Sequence, residues 1–131
     1  MPIPEHHPFA ELIGLTLQPD SEAGFSRCEL LLAPRHLNPH GVVHGAVLFA
    51  LADTGMGAAL YTTLEPGEQC ATIEVKINYF KAVCAGTLVC HTRIVHRGRR
   101  LANLESELRC DGVLLAQANG NYAILAPRAG D

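Results

Sequence analysis

The sequence predicts an α+β fold in which a curved, mostly antiparallel sheet wraps around one long central helix. Three observations lead there. The stretch from about Gly45 to Tyr61 is almost wholly apolar and carries a single carboxylate, Asp53. A helix apolar all round must be buried, so something has to surround it. Residues 72–79 alternate, with Ile73, Val75, Ile77 and Tyr79 facing one way and Thr72, Glu74, Lys76 and Asn78 the other. Finally, three of the later strands follow one another through short turns, which joins them antiparallel.

Taken in order, the chain begins with a proline-rich lead-in over residues 1–8, expected to be a flexible tail. Pro8 through Ile13 reads as a short helix and Gly14–Gln18 as a strand. Pro19-Asp20-Ser21-Glu22-Ala23-Gly24 is a turn by composition, and Phe25 to Ala33 is a second strand. Pro39 and Gly41 forbid regular structure across residues 34–41. The central helix ends before the turn Glu65-Pro66-Gly67-Glu68, and the alternating strand follows. Leu88–His96 is the next strand; Arg97-Gly98 turns it into Leu101–Cys110, where Ala102, Leu104, Ser106, Leu108 and Cys110 share a face. Asp111-Gly112 is a strong hairpin signal, Val113–Leu125 completes about five or six strands, and residues 126–131 read as a frayed tail.

Length and composition narrow the function. At 131 residues the chain is expected to form one domain with its own core. A net charge of −3 gives no general attraction to nucleic acid or to an anionic membrane. The five cysteines form an odd set without a C-x-x-C pair, which suits small buried residues in a reducing compartment. The N-terminus lacks the regions of a signal peptide, and the apolar helix is shorter than the roughly 20 residues that cross a bilayer. A cytoplasmic, soluble protein is expected. His36, His40 and His44 repeat every four residues, yet Pro39 and Gly41 break any helix there and no acidic or cysteine ligands bracket them, so no metal site is expected. The chain has no G-x-S-x-G, P-loop or G-x-G-x-x-G motif, which argues against a serine hydrolase or a nucleotide-phosphate enzyme.

The richest segment is Asn38…Gly41-Val42-Val43-His44-Gly45, followed by Leu51-Ala52-Asp53, whose aspartate lies eight residues beyond Gly45. With Thr72-Ile73-Glu74-Val75-Lys76-Ile77-Asn78-Tyr79, it resembles the hotdog-fold acyl-CoA thioesterases, specifically the PaaI-like branch of phenylacetic acid degradation. The resemblance covers roughly residues 10 to 125. It departs from the family at Ala46, where a second glycine is usual, and the alanine methyl narrows the space beside a bound thioester.

Thioester hydrolysis needs a base for water and donors for the developing oxyanion. The Gly45 amide, in the first turn of the helix, has no intrahelical acceptor and lies at the positive end of the dipole. Asp53 would be general base or nucleophile. The resemblance implies that Asn38 adds a side-chain amide and that Thr72 helps orient the water. His44 and Ala46 would border the substrate. Arg97, Arg99 and Arg100, at a hairpin turn, would form a rim for the phosphates of coenzyme A, which is part of the substrate; no separate cofactor is expected. Eight residues place Gly45 and Asp53 about 12 Å apart along one helix. They cannot serve the same carbonyl from one chain. If both are catalytic, two antiparallel helices must share each site across a two-fold axis, which predicts a homodimer; the family also pairs such dimers into tetramers.

Plainer readings stand beside these. Asp53 can brace a loop, Gly45 can simply be a tight start to the helix, and Asn38 can make an Asx turn before Pro39. Thr72 can be an ordinary strand residue, and the arginines solvated hairpin charges. A non-hydrolytic acyl-CoA-binding module is the first rival, although it needs no carboxylate in its helix. An enoyl-CoA hydratase is the second, although no histidine follows Asp53 at a suggestive distance.

Overall fold

The computed structural model describes residues 6–18 and 22–127. The expected tails and the 19–24 turn lie wholly or partly outside those residues. Helix α1 spans Pro8–Ile13; strands β1 (Leu15–Gln18) and β2 (Phe25–Leu31) follow. A 3₁₀ turn at Pro34–His36 leads to α2 (Gly45–Tyr61), then β3 (Gln69–Tyr79), β4 (Thr87–Arg97), β5 (Leu101–Cys110) and β6 (Val113–Leu125). The six strands form one sheet in the order β1-β2-β4-β5-β6-β3, and every neighbouring pair is antiparallel.

Local chemistry sets the element ends. The His7 ring accepts the Ala10 N–H at 3.2 Å to start α1, and Gly14 ends it in the left-handed region at φ 80°. The Asp111-Gly112 turn has positive φ at both residues, 50° and 77°, which suits the twist of the β5–β6 hairpin. The core lies between α2 and the concave face of the sheet. Leu48, Leu51, Ala52, Met56, Ala59 and Leu60 of the helix meet Leu30, Leu88, Leu104, Leu108 and Leu115, all buried. The helix sits close to the strands because Gly55 carries no side chain: a Cβ there would stand 2.8 Å from Thr92 Oγ1. Ser26 Oγ donates to the Gly55 carbonyl at 2.6 Å across the same contact. All five cysteines are free. Burial pushes the Cys90 thiol up to about 11, and its neighbour Cys28 is pushed up as well, so both serve as packing. Among the described residues, no helix is long and apolar enough to cross a membrane.

Two expectations change. Helix α2 is apolar all round in composition but not enclosed all round. Ala46 and Phe49 are exposed, and Asp53, Thr54, Gly57 and Tyr61 are half-buried, so one stripe of the helix lies open between the edges of the sheet. Asp53 therefore stands at a surface groove, not inside the core. Composition hides this because both faces of the helix are apolar. Strand β3 also departs from strict alternation. Its register against β6 shifts between Thr72 and Glu74, which makes Ile73 an extra residue in a β-bulge. Ile73 is 55% exposed, and Thr72 turns to the same side of the sheet as Val75.

Candidate active site

The bulge brings the site together. Thr72 Oγ1 donates to Asp53 Oδ1 at 2.8 Å. On the neighbouring strand the Tyr122 hydroxyl donates to the same oxygen and lies 2.9 Å from the Asp53 carbonyl. Thr72 and Tyr122 are direct partners in the β3–β6 ladder, so two adjacent strands aim two hydroxyls at one carboxylate oxygen. The second oxygen, Oδ2, has no partner among the described residues, while Asp53 lines a groove of ≈ 570 Å³. The arrangement anchors half of a carboxylate and leaves the other half for a substrate or water. Tyr122 is 2% exposed; burial first, and then the hydrogen bond to Asp53, push its phenol well above the ordinary value. The hydroxyl thus stays a donor. Cys70 lines the groove too, and its thiol is pushed up by burial and then by the Asp53 charge, which argues against a thiolate nucleophile.

Gly45 opens α2 at the end of the open stripe. His44 is the N-cap, and its Nδ1 accepts the Ala46 N–H at 2.9 Å. The Val47 N–H bonds to the His44 carbonyl at 2.9 Å, and the Gly45 N–H has no partner among the described residues. A donor is thereby kept free at the positive end of the helix. Glycine fits here because a Cβ would meet the Tyr79 ring at 3.2 Å, close enough that the ring must give. Tyr79 OH donates to the Gly45 carbonyl at 2.8 Å and ties the start of α2 to β3. Burial raises the Tyr79 phenol, which keeps this donor protonated.

The remaining candidates fall differently. Asn38 Oδ1 accepts the His40 N–H at 2.9 Å and the Val42 N–H at 3.4 Å, the Asx turn that precedes Pro39 and shapes the loop into α2. Only its NH₂ is left to reach outward. His44 is occupied as a cap, and Ala46 lines the groove. Arg97 is not a free rim residue: its guanidinium donates to Thr63 Oγ1 (3.1 Å), the Thr63 carbonyl (3.2 Å) and the Gly98 carbonyl (2.6 Å), and lies 3.5 Å from Glu68. It staples the β4–β5 hairpin to the end of α2. Arg99 and Arg100 are exposed at that hairpin. Of the loop histidines, His36 is buried, with Nε2 2.6 Å from the Ile13 carbonyl and Nδ1 accepting the Ala33 N–H.

Two groove residues escape sequence reasoning. His7 lines the groove from the start of α1, far from Asp53 along the chain. Tyr122 could have been found: alternation in β6 puts it on the inner face with Ala118 and Ile124, and a buried tyrosine hydroxyl needs a partner.

Comparison with known proteins supports one family. Residues 40–116 match the profile of the thioesterase superfamily. A relative from Pseudomonas aeruginosa, PA0474, provisionally named an esterase, is 32% identical over 94 residues, covering 71% of this chain and 70% of that one. The solved structure of the conserved protein PA5202 from Pseudomonas aeruginosa superposes with a TM-score of 0.87 at 36% identity, over 92% of this chain and 95% of that one. A mutant of the phenylacetic acid degradation protein PaaI from Thermus thermophilus superposes with a TM-score of 0.82 at 27% identity, over 89% of this chain and 98% of that one.

Proposed function

The chain belongs to the thioesterase superfamily, with the hotdog fold and PaaI-like neighbours, and from that membership we propose that it hydrolyses acyl-CoA thioesters with Asp53 as general base. The single observation that carries the reading is the half-anchored carboxylate. Thr72 and Tyr122 hold Oδ1, and Oδ2 is left without a partner among the described residues on a side chain that lines a mostly apolar groove. In this scheme water placed at Oδ2 loses a proton to Asp53 as its oxygen attacks the thioester carbonyl. The oxyanion is met by a Gly45 N–H, with the Asn38 NH₂ as a second donor. Collapse of the tetrahedral intermediate breaks the C–S bond, and the departing coenzyme A sulfur takes the proton back from Asp53. No further cofactor enters the scheme.

Two features support a shared site. Gly45 and Asp53 lie on one helix, about 12 Å apart, too far to touch one carbonyl. Strand β3 is a sheet edge eleven residues long, and such an edge calls for cover by another strand. A second copy paired along β3 would lay its own α2 antiparallel over the open stripe and bring its Gly45 toward Asp53. With the helices antiparallel, the second copy's own Arg99 and Arg100 would lie past the Gly45 end of this groove and meet the coenzyme A phosphates.

Asp53→Asn should keep the fold and lose at least about 10²-fold in kcat on acyl-CoA substrates, read as free thiol release. Near-native turnover in this variant would overturn the assignment. Release of thiol also separates hydrolysis from water addition to an enoyl-CoA, which frees none.

A further inference from the structure

Helix α2 contains three glycines, and two are explained by close neighbours: Tyr79 crowds a side chain at Gly45, and Thr92 excludes one at Gly55. Gly57 differs. A Cβ built there meets no atom within 4 Å, and its φ is not left-handed. Glycine inside a helix destabilises it relative to alanine, so neither the backbone nor packing within the protomer accounts for the residue. What Gly57 does is leave space. It lies one turn past Asp53 on the same open stripe and lines the same groove.

The groove continues past Asp53 over Gly57 and Ala58 to Tyr61, with Leu17 of β1 and Cys70 of β3 contributed from the two edges of the sheet. Beyond the carboxylate this surface is mostly carbon. From Asp53 to Tyr61 the helix advances about 12 Å. Resting on the thioester-hydrolase reading above, we infer that Gly57 keeps open a channel for an apolar acyl group of medium length. The reacting carbonyl sits at Asp53 and the acyl tail lies along α2 toward Tyr61. A short acyl group leaves the channel empty, and a bulky side chain at residue 57 closes it one turn behind the carbonyl.

The test compares wild type, Gly57→Ala and Gly57→Leu on acetyl-, octanoyl- and phenylacetyl-CoA. For Gly57→Leu the octanoyl-to-acetyl ratio of kcat/KM should fall by at least about tenfold, the scale on which apolar pockets discriminate by size. Gly57→Ala should move the ratio less, in the same direction, and raise Tm. The phenylacetyl arm reports whether the channel also takes a ring. A wild type that prefers octanoyl-CoA, with a preference that Gly57→Leu leaves in place, overturns the channel alone. So does an equal loss on all substrates together with dissociation in light scattering, which would make the gap a seat for a partner's helix. A fall in Tm for Gly57→Ala overturns it as well. A wild type inert on the whole panel overturns the hydrolase reading itself.

Discussion

Asp53 owes its orientation to residues distant in sequence: Thr72, nineteen positions away, and Tyr122, sixty-nine positions away. Each donates to Oδ1, so the carboxylate has one fixed oxygen and one available oxygen. Tyr122 is the more consequential donor because it is fully buried and cannot be replaced by solvent. Removing it leaves a charged acceptor short of a partner beside the core, at a cost of about 1.5–3 kcal/mol. Tyr122→Phe should therefore lower stability by that amount in urea denaturation. It should also lower kcat by roughly ten- to a hundredfold with little change in KM, as expected when a base is mis-aimed rather than removed. A variant with wild-type kcat would show that Thr72 alone positions the carboxylate. Asp53 was legible in the sequence as the one charge in an apolar helix; alternation in β6 marks Tyr122 as inward-facing, but its pairing with Asp53 was not legible, since that partner lies in another element.

At the scale of elements, the bulge in β3 decides what the helix meets. Strict alternation puts Thr72 opposite to Val75, away from Asp53; the extra residue Ile73 returns Thr72 to the inner face, paired with Tyr122. The prediction follows from burial. Ile73→Thr should change stability by no more than about 0.5 kcal/mol, as for a surface position, while Val75→Thr, packed against the core, should cost about 1–2 kcal/mol. Equal costs would mean that the bulge is not kept in solution. Helix bounds were readable because caps and punctuation are local: His44 and Gly45 start α2, and its apolar run ends at Tyr61. A bulge has no comparable local signal, since Ile73 and Val75 are both ordinary strand residues.

The whole molecule leaves two things uncovered on one side, the β3 edge and the open stripe of α2. A second copy covers both at once under the proposed two-fold arrangement. Gly45→Pro tests this while leaving the helix in place. Proline is favoured at the first helical position, and His44 already holds the extended backbone that precedes a proline (ψ 135°), yet the substitution removes the N–H. The added ring displaces the Tyr79 side chain slightly, and circular dichroism should show the helix content retained. Each of Asp53→Asn and Gly45→Pro alone should be inactive. An equal mixture after subunit exchange should regain about a quarter of wild-type turnover, because half the dimers are mixed and each holds one intact site of two. No recovery after verified exchange would overturn the shared site.

Periodicity, turn chemistry and motif spacing along the chain were enough for the element order, the central helix, the hairpin at Asp111-Gly112 and the family, because each of these is a local pattern. They also pointed to Asp53 and Gly45. Tertiary structure alone decided that one face of α2 stays open, that Thr72 and Tyr122 converge on a single carboxylate oxygen, and that Arg97 braces a hairpin instead of waiting for phosphate. Those outcomes depend on how strands distant in sequence are registered against the helix. Registry is set by packing across the sheet, which no local pattern records.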